Sequence, residues 1–187
     1  MSRVMTDRAP HHRITVDEYY RMAEDGKLDP NARVELIEGE IIEMAPIGSR
    51  HGASSTKLTY LLMRSLGDLA LVRVQLPLRL DNYSELALVV PRTDFYKECH
   101  PTPADVLFLI EVSDASSSRD RTAKVSLYAR HNVPEVWIVD LQRERLHFYR
   151  TPREGAYTDV SFTAKPGVIA LAAPSGITVD LSCSFES

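Results

Sequence analysis

Apolar positions along this 187-residue chain fall into two periods, and the order in which those periods alternate predicts a mixed α/β fold. From His51 to Gly67, Leu58, Leu61, Leu62 and Leu66 recur at spacings of three and four, the stripe of a long helix that Ser49 or Ser54 is placed to cap. "LVRVQLPLRL" alternates instead and sets Val72, Val74, Leu76, Leu78 and Leu80 on one face of a strand. Pro77, which cannot donate to a ladder, puts that strand near an edge or at a bulge. "ELALVV" is a short strand after an Asp81-Asn82 turn. "ADVLFLIEV" is apolar on both faces, as suits a central strand covered on two sides. "SSSRDRTAKVSLYARHN" reads as a helix with Ser117 and Asp120 at capping-box spacing, "VPEVWIVDL" as another strand, and "ERLHFYR" as its hairpin partner. Upstream, Thr15 and Glu18 form a further capping box for a helix reaching Ala23 or Glu24, and "RVELIEGEIIEMAP" is a β-hairpin turning at Glu38-Gly39-Glu40. A small strand around Ile177 to Leu181 ends the pattern. Residues 1 to 13 read as a polar arm and 14 to 187 as a single domain, without repeat or linker.

The strand from Val106, the helix from Asp120 and the strand from Val136 form one strand-helix-strand unit, and it carries an anomaly. Glu111 stands at the C-terminal end of the most apolar strand, where a charge is costly unless it is paired, hydrogen-bonded or bound to a metal. Lys124, thirteen residues on, is about one loop and one helical turn away and can fold back over the strand end. The plainer reading is a buried ion pair that closes the unit. The functional reading makes Glu111 a ligand to a divalent cation, with Lys124 acting on water or on phosphoryl charge. Mg²⁺ prefers oxygen donors and keeps several waters, so two carboxylates and a backbone carbonyl suffice.

A second carboxylate is then required. Glu85 opens "ELALVV" and approaches Glu111 if the two strands are neighbours, with Asp81 and Asp94 flanking at larger distances; Glu85 as an exposed strand-start residue is the alternative. His51, at the start of the long helix, is either a phosphate donor or proton carrier, or a solvated residue. Gln75 orients substrate or faces solvent. Arg119 and Arg121 contact phosphates or form the solvated start of a helix. Tyr128 lies one turn beyond Lys124, placed to brace it, and Trp137 reads as core packing rather than a base-stacking surface.

Composition narrows the partners. The chain has 22 Lys+Arg against 26 Asp+Glu, a formal charge of -4, which gives no support to a broadly basic surface but leaves room for a local basic cleft. Cys99 and Cys183 sit in no metal or redox spacing, so a reducing, cytoplasmic setting is expected. No apolar run approaches the roughly 18 residues of a membrane span, and none resembles a signal peptide.

Several separated segments, "ELIEGEIIEMAPIGSRHG", "VRVQLPLRLDNYSE", "PRTDFY", "ADVLFLIEVSDASSSRDRTAKVSLYARHNVPEVWIVDL" and "LHFYR", together resemble the Uma-two family of candidate endonucleases. That family is a branch of the restriction-endonuclease-like PD-(D/E)xK superfamily. The similarity runs from about Thr15 to Tyr149. It implies a central mixed sheet flanked by helices, with a Mg²⁺-dependent phosphodiesterase site (Mn²⁺ as substitute) acting on nucleic acid, DNA foremost, and a homodimer. The resemblance makes Glu111-Val112-Ser113 the third motif, with Ser113 in place of the usual lysine and Lys124 supplying it from the helix. Val112 lends its carbonyl to the metal, and Glu38 or Glu35 matches the first-motif acid. The chain departs from its relatives after Ser84-Glu85, where a short Pro-containing link and the Pro-Asp that supplies the sheet aspartate are missing. Glu85 is the candidate to stand in, and the alternative is a catalytically impaired scaffold that binds nucleic acid or a protein.

Overall fold

The computed structural model describes residues 12–32, 34–37, 39–43, 46–78, 83–114 and 118–182, with the backbone alone at 35, 37, 75–78, 83–86 and 118–120. The chain divides into two compact units, with the boundary between Ala45 and Pro46.

In the first unit, α1 (Val16–Glu24) begins at the expected capping box: Glu18 N–H donates to Thr15 Oγ1 at 3.3 Å, and Thr15 N–H donates to Glu18 Oε2 at 2.7 Å. The hairpin follows as β1 (Val34–Ile37) and β2 (Glu40–Glu43), with Val34 opposite Glu43 and Ile37 opposite Glu40. Its turn needs glycine twice over. Gly39 has φ +84°, and a Cβ there would come within 2.6 Å of Arg13 Cβ. Tyr19 Oη donates to Val34 O at 3.2 Å and ties α1 to the hairpin.

The second unit is built on a six-stranded mixed sheet. In chain order its strands are β3 (Leu71–Leu78), β4 (Tyr83–Val89), β5 (Val106–Ser113), β6 (Glu135–Asp140), β7 (Arg145–Arg153) and β8 (Ala156–Thr163), and they also lie in that order in space. Only β5 and β6 are parallel, joined through α3 (Ser118–Arg130); the other neighbours are antiparallel. β3 is an edge strand, as Pro77 requires, and its register also shifts between Arg73 and Leu76. The strand expected to alternate without a break from Val72 to Leu80 is therefore interrupted in its backbone register, and its last two positions lie outside the described residues.

α2 (Ser49–Leu66) lays Leu58, Leu62 and Leu66 on the sheet face formed by Phe108, Ile110, Val112, Trp137 and Val139. Its N-cap is Gly48, with no side-chain cap, so neither Ser49 nor Ser54 takes the capping role. Trp137 is fully buried edge-on between Phe108 and Phe148, at centroid distances of 4.4 and 5.4 Å, which settles its role as packing. A small sheet of β9 (Val168–Ala170) and β10 (Thr178–Asp180) adds Val179 and its flanking leucines to the same core. The sequence pattern missed β8 and β9. "AYTDVSFT" is an edge strand that buries only Tyr157, and polar residues interrupt both of its alternations. The expected Ser117 cap of α3 lies outside the described residues.

Candidate active site

Residues alternate in facing along a strand, so with Phe108, Ile110 and Val112 turned toward α2, Glu111 and Ser113 point to the opposite face, where α3 lies. There Lys124 Nζ meets Glu111 Oε1 at 3.0 Å, with only 4% and 6% of the two side chains exposed. Tyr128, one turn further along α3, donates its hydroxyl to Glu111 Oε2 over a long 3.4 Å. Tyr128 thus reaches the carboxylate with which Lys124 pairs.

A second ion pair lies one turn toward the start of α3. Arg121 Nη2 contacts Asp140 Oδ2 at 2.9 Å. Asp140 ends β6 beside Ser113 and also accepts from Arg143 N–H at 3.0 Å and Arg143 Nη1 at 3.1 Å. Burial pushes the Asp140 carboxyl upward, but the bonds from Arg143 and then Arg121 outweigh it and hold the group below its ordinary value. Arg121 is thus neither a free phosphate ligand nor a solvated helix start. It fastens α3 to β6, while Lys124 fastens it to β5.

Sequence reasoning did not single out Asp140 as a partner of α3, although the signal was present: it ends the apolar run "VWIVD" much as Glu111 ends "LFLIE". A further buried acid, Glu135, begins that run with no exposure. It accepts from Trp137 Nε1 at 2.8 Å and Ala172 N–H at 2.7 Å and pairs with Arg150, so it clasps residues 170–172 to the sheet rather than joining the site.

Beyond Asp140 on the same face, burial first and then the Arg121 charge lower the pKa of His147. Tyr149 is pushed up, mainly by burial and with help from Glu111, against the pull of Arg121. Glu111, Lys124, Arg121, Asp140, His147 and Tyr149 are therefore one electrostatic neighbourhood under α3.

The remaining expected residues are placed as follows. Leu86 pairs with Ile110 in the antiparallel β4–β5 ladder, so the next position on β4, residue 85, comes beside residue 111. The strand adjacency that Glu85 needed is present at the backbone. Val112 is in β5, between Glu111 and Ser113. His51 is in the first turn of α2, near the end of β5: a Cβ on Gly48 would stand 3.9 Å from Asp114 Oδ2. Asp94 is occupied by Arg92, at 3.0 and 2.9 Å, away from this neighbourhood. Glu38 and Asp81 lie outside the described residues, as do the side chains of Glu35, Gln75 and Arg119. Among the described residues, no group of three or more His, Cys, Asp or Glu side chains converges as a metal cage would, and no helix is long and apolar enough to cross a membrane.

Residues 16–182 match the model of the Uma2 family, described as "Putative restriction endonuclease". Among solved structures, one described as a "putative nuclease belonging to DUF820 from Anabaena variabilis ATCC 29413" shares the fold at TM-score 0.69. It is 16% identical, over 92% of this chain and 97% of that one. No curated protein matches. The family match spans the hairpin, α2, the six strands and α3, and together with the shared fold it establishes that the chain belongs to the Uma2 family, within the PD-(D/E)xK restriction-endonuclease-like superfamily.

Proposed function

We propose that this chain hydrolyses phosphodiester bonds in nucleic acid, DNA foremost, with Mg²⁺ as cofactor and Mn²⁺ as substitute. The observation that carries the reading is the 3.0 Å meeting of Glu111 and Lys124 at the end of an interior strand, in a fold of this superfamily. The donor set suits a hard cation in kind: a buried carboxylate at Glu111, the backbone carbonyl of Val112, and a second carboxylate residue, Glu85, at the adjacent register position. A divalent cation held there supplies Lewis-acid chemistry, screening phosphoryl charge and acidifying water.

The chain's own groups do the rest. Lys124 Nζ, 3.0 Å from Glu111, orients the attacking water and offsets charge growing on the phosphoryl oxygens. Water oxygen bonds to phosphorus and gives up a proton as the bond to the leaving oxygen breaks, and that proton passes to the leaving oxygen, with His51 at the head of α2 as the carrier. Tyr128 steadies the carboxylate.

Purified protein incubated with DNA and RNA of varied form tests this directly. Cleavage in Mg²⁺ or Mn²⁺ that is lost in EDTA and in Lys124→Met is expected; no cleavage under any of these conditions contradicts it.

A second reading has its own support. The Glu111–Lys124 pair is closed and buried, as a purely structural pair would be, which favours a nuclease-like scaffold that binds without cutting. On that reading divalent cations leave the protein unaffected and neutralising either partner alters stability alone.

A further inference from the structure

We infer that the outer half of the sheet face carrying Glu111 is a stacking platform for an unpaired nucleobase, with Phe162 as its floor and Arg143 and Arg145 gripping the adjoining phosphates. This deepens the nucleic-acid reading above and rests on it. Across the sheet, Glu111 pairs with Ile138, Ile138 with His147, and His147 with Phe162. Residues paired in this way share a face, so the row that starts at the buried carboxylate ends at Phe162 on the edge strand, three strand spacings or about 14 Å away.

Phe162 is 58% exposed, and Val160, next along that face, is 56% exposed. A core role explains neither. The Arg145 guanidinium lies 4.9 Å over the Phe162 ring, and His147 meets the ring from the inner side at 5.6 Å. The Arg143 side chain, at the turn leading into β7, keeps Nη1 on Asp140 at 3.1 Å and is still 59% exposed, so the outer side of its guanidinium faces solvent. On this face β7 presents Arg145, His147 and Tyr149 and β8 presents Val160 and Phe162; the nearest acid is the buried Asp140, across from Arg145 on β6, while Asp159 belongs to the opposite face, across from Arg150. Glu144, in the same turn, is drawn instead to Arg50 on α2, at 3.2 Å.

An aromatic ring 58% exposed, with one guanidinium over it and another in the adjoining turn, in a chain of net negative charge, complements one class of partner. A nucleic-acid strand offers a π-face to the ring and phosphates to the arginines. A second copy fits poorly, since a two-fold contact through this face would bring like-charged arginines together. Exposed bases, rather than those stacked in a duplex, can lie flat on the ring, so the platform favours single-stranded or locally opened substrate.

The test is binding of fluorescent single-stranded and duplex oligonucleotides to the full chain in EDTA, over a range of salt, for wild type and for Phe162→Leu, Phe162→Tyr and an Arg143→Gln/Arg145→Gln double variant. Phe162→Leu keeps the apolar bulk and removes the ring. It should weaken single-strand binding by about 10-fold or more, while Phe162→Tyr keeps it. The arginine variant should lower the salt slope by roughly 0.7 for each phosphate no longer neutralised. Wild-type affinity in Phe162→Leu overturns the platform, as does a dimer that dissociates in Phe162→Leu without change in oligonucleotide affinity. Because no cutting occurs in EDTA, the two claims fail separately: binding that depends on Phe162 in a protein that never cleaves removes hydrolysis alone, and cleavage with Phe162-independent binding removes the platform alone.

Discussion

Each of the two ion pairs under α3 sets a buried carboxylate against a cation on the helix, and this makes them sensitive to one-sided change. Lys124→Met removes the ammonium partner of a carboxyl that is only 6% exposed, so a loss of about 3–5 kcal/mol in urea unfolding is expected. The double variant Glu111→Gln/Lys124→Met should regain much of that loss, since it leaves no stranded charge. An additive double variant would mean that the pair is not coupled. His147 gives the acid response. Its folded pKa is held below 6.5 by burial and the Arg121 charge, so the unfolded chain takes up the proton first as pH falls. The stability it contributes is therefore complete above pH 6.5 and is lost below it. Urea midpoints should drop between pH 7 and 5.5, and His147→Phe should flatten that drop. Asp140 acts further into acid: its contribution is present above 3.8 and disappears as pH falls through its lowered folded pKa.

At the scale of elements, α3 is held by two anchors one turn apart, Arg121 to β6 and Lys124 to β5, and the first sets the seating of the second. Asp140→Ala strands the largely buried Arg121 and should cost about 3–5 kcal/mol. It should also speed amide hydrogen exchange through the first two turns of α3 relative to α2; equal exchange in both helices would show that Arg121 does not set how α3 sits. The Glu135 clasp predicts a different locality. Glu135→Gln should weaken protection of the Ala172 amide and leave α3 unchanged. The central elements were legible in the sequence because burial writes itself as pattern: α2 and β5 have stripes or runs that only burial explains. The Glu111–Lys124 meeting was legible for the same reason, a charge where none should be, with one cation in reach. β8 left no such pattern because it buries little. The anchor at Asp140 depends on which strand α3 crosses, a tertiary fact that no local spacing encodes. The bulge in β3 likewise escaped a reading that assumed unbroken alternation.

For the whole molecule, the fold brings the strand that bears residue 85 beside the strand that bears Glu111, and covers Glu111 with a helix that supplies a lysine. Whatever its departure from the expected pattern after Ser84, the chain keeps the strand adjacency that a two-carboxylate site needs. The resemblance also carries a homodimer, which sedimentation over a range of concentrations tests: a mass that doubles with concentration is expected, and one fixed at 21.0 kDa contradicts it. The central claim is that Glu85 and Glu111 share a divalent cation, and calorimetric titration with Mn²⁺ reaches it without waiting for a substrate. Saturable binding to the wild-type chain that is lost in both Glu111→Gln and Glu85→Gln is the result expected. A wild-type chain that takes up no Mn²⁺, or one whose uptake neither substitution changes, would contradict it.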